Sequence, residues 1–170
     1  MIVADNNGVL MITTMNTDNL LARSVTVELT RVKSQISSRK KLLQTMASLL
    51  CAGLKNETKE KEIYFQLWER EKLGNTGIGN GVALPHSRCI HAHDAVIAII
   101  TLDEAVNYDA SDGQGVNLAF GLLVPQDANQ EHLQLLATIA RLVSDTQKKN
   151  ALCEALTAQE VVTKVKQWST

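Results

Sequence analysis

The sequence predicts an α/β sandwich in one domain, a central β-sheet flanked by helices. Three observations carry this reading. The stretches DAVIAIITL (94–102) and GVNLAFGLLV (115–124) are almost continuous in apolar residues, as strands buried on both faces are. Segments with a single apolar stripe at helical spacing stand before and after them, so strands and helices mix along the chain. The length, 170 residues, suits one domain that buries roughly 70% of its unfolded surface.

Taken in order, the elements justify themselves locally. MIVADNNGVLMITTMNTDNLLA (1–22) carries Asp5 and no basic residue, and its apolar run is too short for a secretory signal. A flexible leader is expected there, with Met15 as an alternative start. SVTVELT (24–30) alternates Val25, Val27 and Leu29 with polar residues, which suits a short strand. SSRKKLLQTMASLLCAGL (37–54) puts Leu42, Leu43, Met46, Leu50 and Leu54 on one helical face, with Ser37 or Ser38 as N-cap and Gly53 near the far end. Arg39, Lys40 and Lys41 occupy its first turn, where the macrodipole prefers anions, and read as a solvated cluster or a docking surface.

ETKEKEIYFQLWEREKLG (57–74) is a second helix with Ile63, Leu67 and Trp68 inward and Gly74 as its C′ residue. ANQEHLQLLATIARLVSD (128–145) is a third, capped by Asn129. QKKNALCEAL and AQEVVTKVKQW close the chain as two short helices.

Composition narrows the function. A net charge of −1 lacks the basic footprint of a nucleic-acid binder, and 4% aromatic residues leave little for base stacking. Cys51, Cys89 and Cys153 are odd in number with no CxxC pair, which favours a reduced, cytoplasmic chain. No apolar run approaches the ~18 residues of a membrane span. The expected partners therefore exclude nucleic acid and membrane insertion.

The chemistry concentrates in GNTGIGNGVALPHS (74–87). A Walker A loop fails because Asn80 stands where its lysine belongs, and a GxGxxG fingerprint fails because Gly77, Gly79 and Gly81 are spaced GxGxG after a helix. Kinase glycine loops fail on the same spacing. Glycines still let backbone N–H groups crowd around an anion, so Thr76, Gly77, Gly79, Asn80 and Gly81 are candidate phosphate-loop residues, with Thr76 and Asn80 equally suited to turn formation. Pro85 stiffens the segment that presents His86. A neutral imidazole beside such a loop suits attack on a phosphoryl group without help from a base.

The segment REKLGNTGIGNGVALPH (70–86), with NYDASDGQGVNLAFGLLVP (107–125) and EHLQLLATIARLVSD (131–145), resembles the enzyme IIA components of the bacterial phosphoenolpyruvate-dependent phosphotransferase system. The likeness is to the mannitol/fructose class, above all its nitrogen-related branch, over roughly residues 23–168. It implies a mixed central sheet and one enzyme IIA type-2 domain over 23–170. It implies that His86 accepts a phosphoryl group from an HPr-like carrier protein, that His132 is the site's second histidine, and that Arg70 balances the phosphoryl charge. From physical chemistry, His132 sits in a helix's first turn, where the dipole favours a neutral, hydrogen-bond-donating ring. A guanidinium matches phosphoryl oxygens, and transfer that depends on positioning and charge needs no cofactor or metal.

The resemblance to the nitrogen-related branch implies a regulator whose targets bear on nitrogen and carbon metabolism and potassium homeostasis. A sugar-transport enzyme IIA passing phosphate to a IIB subunit, and a non-catalytic interaction module on the same fold, are the alternatives. Two departures from the family stand out: Ser87-Arg88 where glycine and a basic residue often follow the histidine, and Gly115 where proline is frequent. Cys89, His91 and His93 alternate, so an extended strand would align them as zinc ligands, but no fourth ligand accompanies them and no metal is expected.

Overall fold

The computed structural model describes residues 2–4, 10–12, 17–54, 59–128 and 130–169. In chain order the elements are β1 (Ile2–Ala4), β2 (Leu10–Ile12), α1 (Thr17–Ser24), β3 (Thr30–Ser34), α2 (Arg39–Gly53), α3 (Glu60–Leu73), β4 (Gly77–Gly79), β5 (Val82–Ala83), β6 (His86–Cys89), β7 (Val96–Val106), β8 (Val116–Pro125), α4 (Gln130–Ser144), α5 (Thr146–Glu154) and α6 (Ala158–Trp168).

The central sheet runs β3-β7-β8-β5-β4, with β6 also paired to β8. It is mixed: β7 and β8 are antiparallel, while β3 lies parallel to β7 and both β5 and β6 lie parallel to β8. Side chains of β7 and β8 alternate between two cores, as the period of a strand requires. Ala98, Ile100, Ala119 and Leu123 face α2 and α3 with Leu43, Met46, Leu50, Ile63 and Leu67. Ile97, Ile99, Leu118, Phe120 and Leu122 face the other way, towards Leu21, Leu135, Ile139, Val161 and Val165. The apolar runs of β7 and β8 thus reflect burial on both faces.

Two expectations change at the amino-terminal end. The strand expected over 24–30 is displaced: Ser24 closes α1 and the strand begins at Thr30, because Val25 and Leu29 pack as buried turn residues rather than along a ladder. The expected leader, residues 1–22, is not bare tail where it is described. Ile2–Ala4 pairs antiparallel with Leu10–Ile12, and α1 buries Leu21 in the second core. Ser38 caps α2 as expected, its Oγ accepting from Lys41 N at 3.2 Å. Asn129, expected to cap α4, lies outside the described residues.

Two features aim the functional segment. Asn80 and Gly81 both take positive φ, 54° and 74°, as a type I′ turn requires, and they close a hairpin between β4 and β5. Beyond it, residues 82–89 follow one edge of β8, interrupted at Pro85, which has no N–H to give the ladder. Pro85 O still accepts from Leu122 N at 3.0 Å, so the chain rejoins β8 at His86 without drifting away.

Gly121 of β8 makes room for the Met46 side chain of α2. A Cβ there would stand 2.1 Å from Met46 Sδ and 2.5 Å from Met46 Cγ, inside the first core. Gly121→Val should cost about 1–3 kcal/mol by overpacking, read as a lowered urea midpoint. Adding Met46→Ala should return part of that loss, since the two sites share one space.

Candidate functional site

The elements described above converge on His86 at the start of β6. Its Nδ1 lies 2.7 Å from Leu84 O. A carbonyl only accepts, so Nδ1 carries the proton. Its Nε2 lies 3.1 Å from Arg70 Nε, which only donates. The two contacts together fix one neutral tautomer, with the lone pair on Nε2. Burial lowers the His86 pKa, opposed by the Leu84 carbonyl, lowered again by the Arg70 charge and raised by Glu71.

Arg70 is itself tethered, Nη1 donating to Gly74 O at 2.9 Å. The carboxylates on either side of it in the sequence take other partners. Glu69 pairs with Lys72 at 2.6 Å, and Glu71 turns inward with 7% exposure. There Glu71 Oε1 accepts from Thr76 N at 3.0 Å, and Oε2 accepts from Thr76 Oγ1 and from Tyr108 OH. The Thr76 and Tyr108 hydroxyls are 3.0 Å apart. Burial raises the Tyr108 phenol far above its ordinary pKa, so it stays a donor. Arg39, expected in a solvated cluster, braces this group: Nη1 donates to Tyr108 O at 3.2 Å and pairs with Asp109 at 3.1 Å, and the guanidinium lies near the Trp68 and Tyr108 rings.

The bonds close a circuit. Thr76 O accepts from Leu84 N at 2.9 Å, Leu84 O accepts from His86 Nδ1–H, His86 Nε2 accepts from Arg70 Nε–H, and Arg70 adjoins Glu71, which holds Thr76. Sequence reasoning missed Glu71 and Tyr108. The signal for Glu71 was present: Ile63, Leu67 and Glu71 recur every four residues, so Glu71 falls on the buried stripe of α3.

A cavity of about 500 Å³ opens beside the circuit, lined by Arg70 from α3, His86, Ser87 and Arg88 from β6, and His132 and Leu133 from α4. Its lip carries exposed apolar side chains, Phe65, Leu73 and Leu133. His132 lies in the first turn of α4, on the wall of the cavity. The Ser87 hydroxyl donates to Arg88 O, and Arg88 Nη1 donates to Gln126 O.

The structure brings Arg70, His86 and His132 together and leaves the five loop residues outside. Thr76 is spent on Glu71, Gly77 N donates to Asn75 Oδ1, and Asn80 N donates to Asp112 Oδ2. Gly79 faces the Asp112 carboxylate, and Gly81 packs against Asn117 and Lys149. The glycines build a hairpin turn, and the N–H groups of Thr76, Gly77 and Asn80 are taken by side chains of the protein itself. Cys89, His91 and His93 do not align either. The chain turns at 90–91, Cys89 is buried, His93 is exposed, and His91 Nε2 lies 3.3 Å from Glu62 Oε1.

Among known families, residues 23–168 match the one described as phosphoenolpyruvate-dependent sugar phosphotransferase system, EIIA 2. A nitrogen regulatory protein of Pseudomonas aeruginosa is 41% identical over 122 residues, 72% of this chain and 79% of that one. The crystal structure of nitrogen regulatory protein IIA-Ntr from Neisseria meningitidis superposes with a TM-score of 0.80 at 33% identity, covering 86% of this chain and 99% of its own. A mannitol enzyme IIA from Escherichia coli, solved in complex with phosphorylated enzyme IIB, shares the fold, with a TM-score of 0.70 at 18% identity over 84% of this chain and 97% of that one.

Because His86 titrates below its ordinary value of 6.5, it stays neutral, with Nε2 unprotonated, through neutral pH. Protonation in acid would set two donors, Arg70 Nε and Nε2–H, against each other. Any reaction at Nε2 should therefore run at constant rate above pH 6.5 and fall only below it, read from the pH dependence of adduct formation on intact protein.

Proposed function

We infer, from a chain that belongs to the EIIA 2 family of the phosphoenolpyruvate-dependent sugar phosphotransferase system, that His86 Nε2 is the atom that takes the phosphoryl group. The observation that carries this reading is the locked tautomer: Nδ1–H on Leu84 O and the Nε2 lone pair at the cavity, beside Arg70. The donor is an HPr-like carrier phosphorylated on its own histidine. As the Nε2–P bond forms, the bond from phosphorus to the donor's ring nitrogen breaks, and that ring keeps the electron pair. Nδ1–H stays on Leu84 O throughout, so no base is needed.

Arg70 releases Nε2 as the new bond forms. Its tether to Gly74 O keeps the guanidinium within reach of the phosphoryl oxygens, where planar paired donors match the developing charge. His132, at the start of α4 and on the same cavity wall, donates to the same oxygens. The exposed apolar lip of Phe65, Leu73 and Leu133 excludes water once the carrier docks.

We place the chain with the nitrogen-regulatory enzymes IIA: a cytoplasmic protein whose phosphorylation state governs its binding to target proteins. The phosphoryl group adds nearly two negative charges to the cavity mouth, enough to reverse which partners dock there. No helix among the described residues is long and apolar enough to cross a membrane.

Intact-protein mass spectrometry at alkaline pH, after incubation with phosphoenolpyruvate, enzyme I and an HPr-type carrier, tests the reading. One phosphate should appear on the wild type and none on His86→Ala. His132→Ala and Arg70→Ala should still accept phosphate, slowed about 10²–10³-fold, the usual loss for one charge-stabilising donor. A phosphate that persists on His86→Ala would move the acceptor elsewhere.

A further inference from the structure

We propose that Glu71, held by Thr76 and Tyr108, is the positioning residue for phosphoryl acceptance, setting both the Arg70 guanidinium and the His86 ring from behind the cavity. The inference rests on His86 being the acceptor. Glu71 touches no reacting atom. It acts because it is consecutive with Arg70 on the last turn of α3 and because both its oxygens are engaged.

The geometry explains why a carboxylate is needed there rather than an apolar residue. Position 71 lies on the buried stripe of α3, in line with Ile63 and Leu67 of the first core. The carboxylate instead collects Thr76 N–H, Thr76 Oγ1–H and Tyr108 O–H, three donors from two other segments of the chain. Thr76 then fixes Leu84 through a 2.9 Å bond, and the Leu84 carbonyl selects the His86 tautomer. Losing Glu71 would strand the three donors and free the α3 terminus to rotate, carrying the Arg70 Nε away from Nε2. Positioning of this kind is worth about 10–100-fold when a supporting hydrogen bond behind a functional ligand is removed.

Charge gives Glu71 a second hold on the ring. The charged and titratable groups around His86 are Glu69, Arg70 and Glu71 from α3, Arg88 from its own strand and His132 from α4. Glu69 is paired with Lys72, and Glu71 is the carboxylate that offsets the depressing effect of Arg70 on the imidazole. Without it the acid limb of reactivity would move to lower pH.

The test compares Glu71→Gln, Glu71→Ala, Thr76→Val and Tyr108→Phe with wild type, all checked for folding by circular dichroism. Nitrogen-15 titration of His86 reads ring tautomer and pKa without any phosphate donor, and phosphate uptake from an HPr-type carrier is timed separately. In Glu71→Gln the His86 pKa should fall below the wild-type value with the Nδ1–H tautomer kept. Glu71→Ala should mix tautomers and take up phosphate about 10–100-fold more slowly, with Glu71→Gln recovering most of that rate. Thr76→Val and Tyr108→Phe should lie between, and they carry the test if Glu71→Ala does not fold. Folded variants with wild-type tautomer, pKa and uptake rate would reduce Glu71 to a structural residue. Wild type that takes up no phosphate would instead overturn the acceptor assignment, while the titration would still decide whether Glu71 sets the ring.

Discussion

A carboxylate buried in the last turn of a helix is costly unless both oxygens are answered, and in this protein the answer organises the site. Glu71 draws in Thr76 and Tyr108, which come from segments 5 and 37 residues further along the chain. Around it the end of α3, the approach to the hairpin and the β7–β8 connection are fastened at one point. The histidine and the arginine are the visible ends of this fastening. Each is aimed by backbone carbonyls, Leu84 for the ring and Gly74 for the guanidinium, and the positions of those carbonyls follow from it.

The sheet supplies the other half of the precision. β8 is paired along one side by β7 and along the other by β5 and then β6, so the strand that carries His86 is registered residue for residue against a central strand of the sheet. The break at Pro85 costs one ladder bond and yields a place where a side chain can leave the sheet beside α3. A reactive group on a rigid strand, next to an arginine on a rigid helix, needs little reorganisation when a phosphoryl group arrives.

Much of this was legible in the residues. The two-faced strands announced themselves as unbroken apolar runs, and α2, α3 and α4 followed from their spacing, with Ser38 capping α2 as expected. The expectation for His86 and Arg70 came from the segment 70–86 taken as a whole, and that for His132 from the segment 131–145; all three line one cavity. What could not be read was how the glycines are used. Density of glycine suggests close approach of backbone to something, and here that something is the protein itself: a type I′ turn facing Asp112, Asn117 and Lys149. Composition is the same for a turn and for an anion cradle, and only the destinations of the N–H groups separate them. Glu71 was hidden for the opposite reason. Charged neighbours in a sequence suggest a solvated face, and only the four-residue recurrence from Ile63 betrays that this one points inward.

The outer strands of the sheet have a bearing on life in a crowded compartment. β3 is five residues long and places Arg31 and Lys33 at one border, while β4 at the opposite border is three residues long and contains two glycines. Short, charged or glycine-rich borders offer poor templates for a second copy to add its own strand. Copies of the molecule brought close together therefore find little in the borders of the central sheet on which to build a chain of molecules.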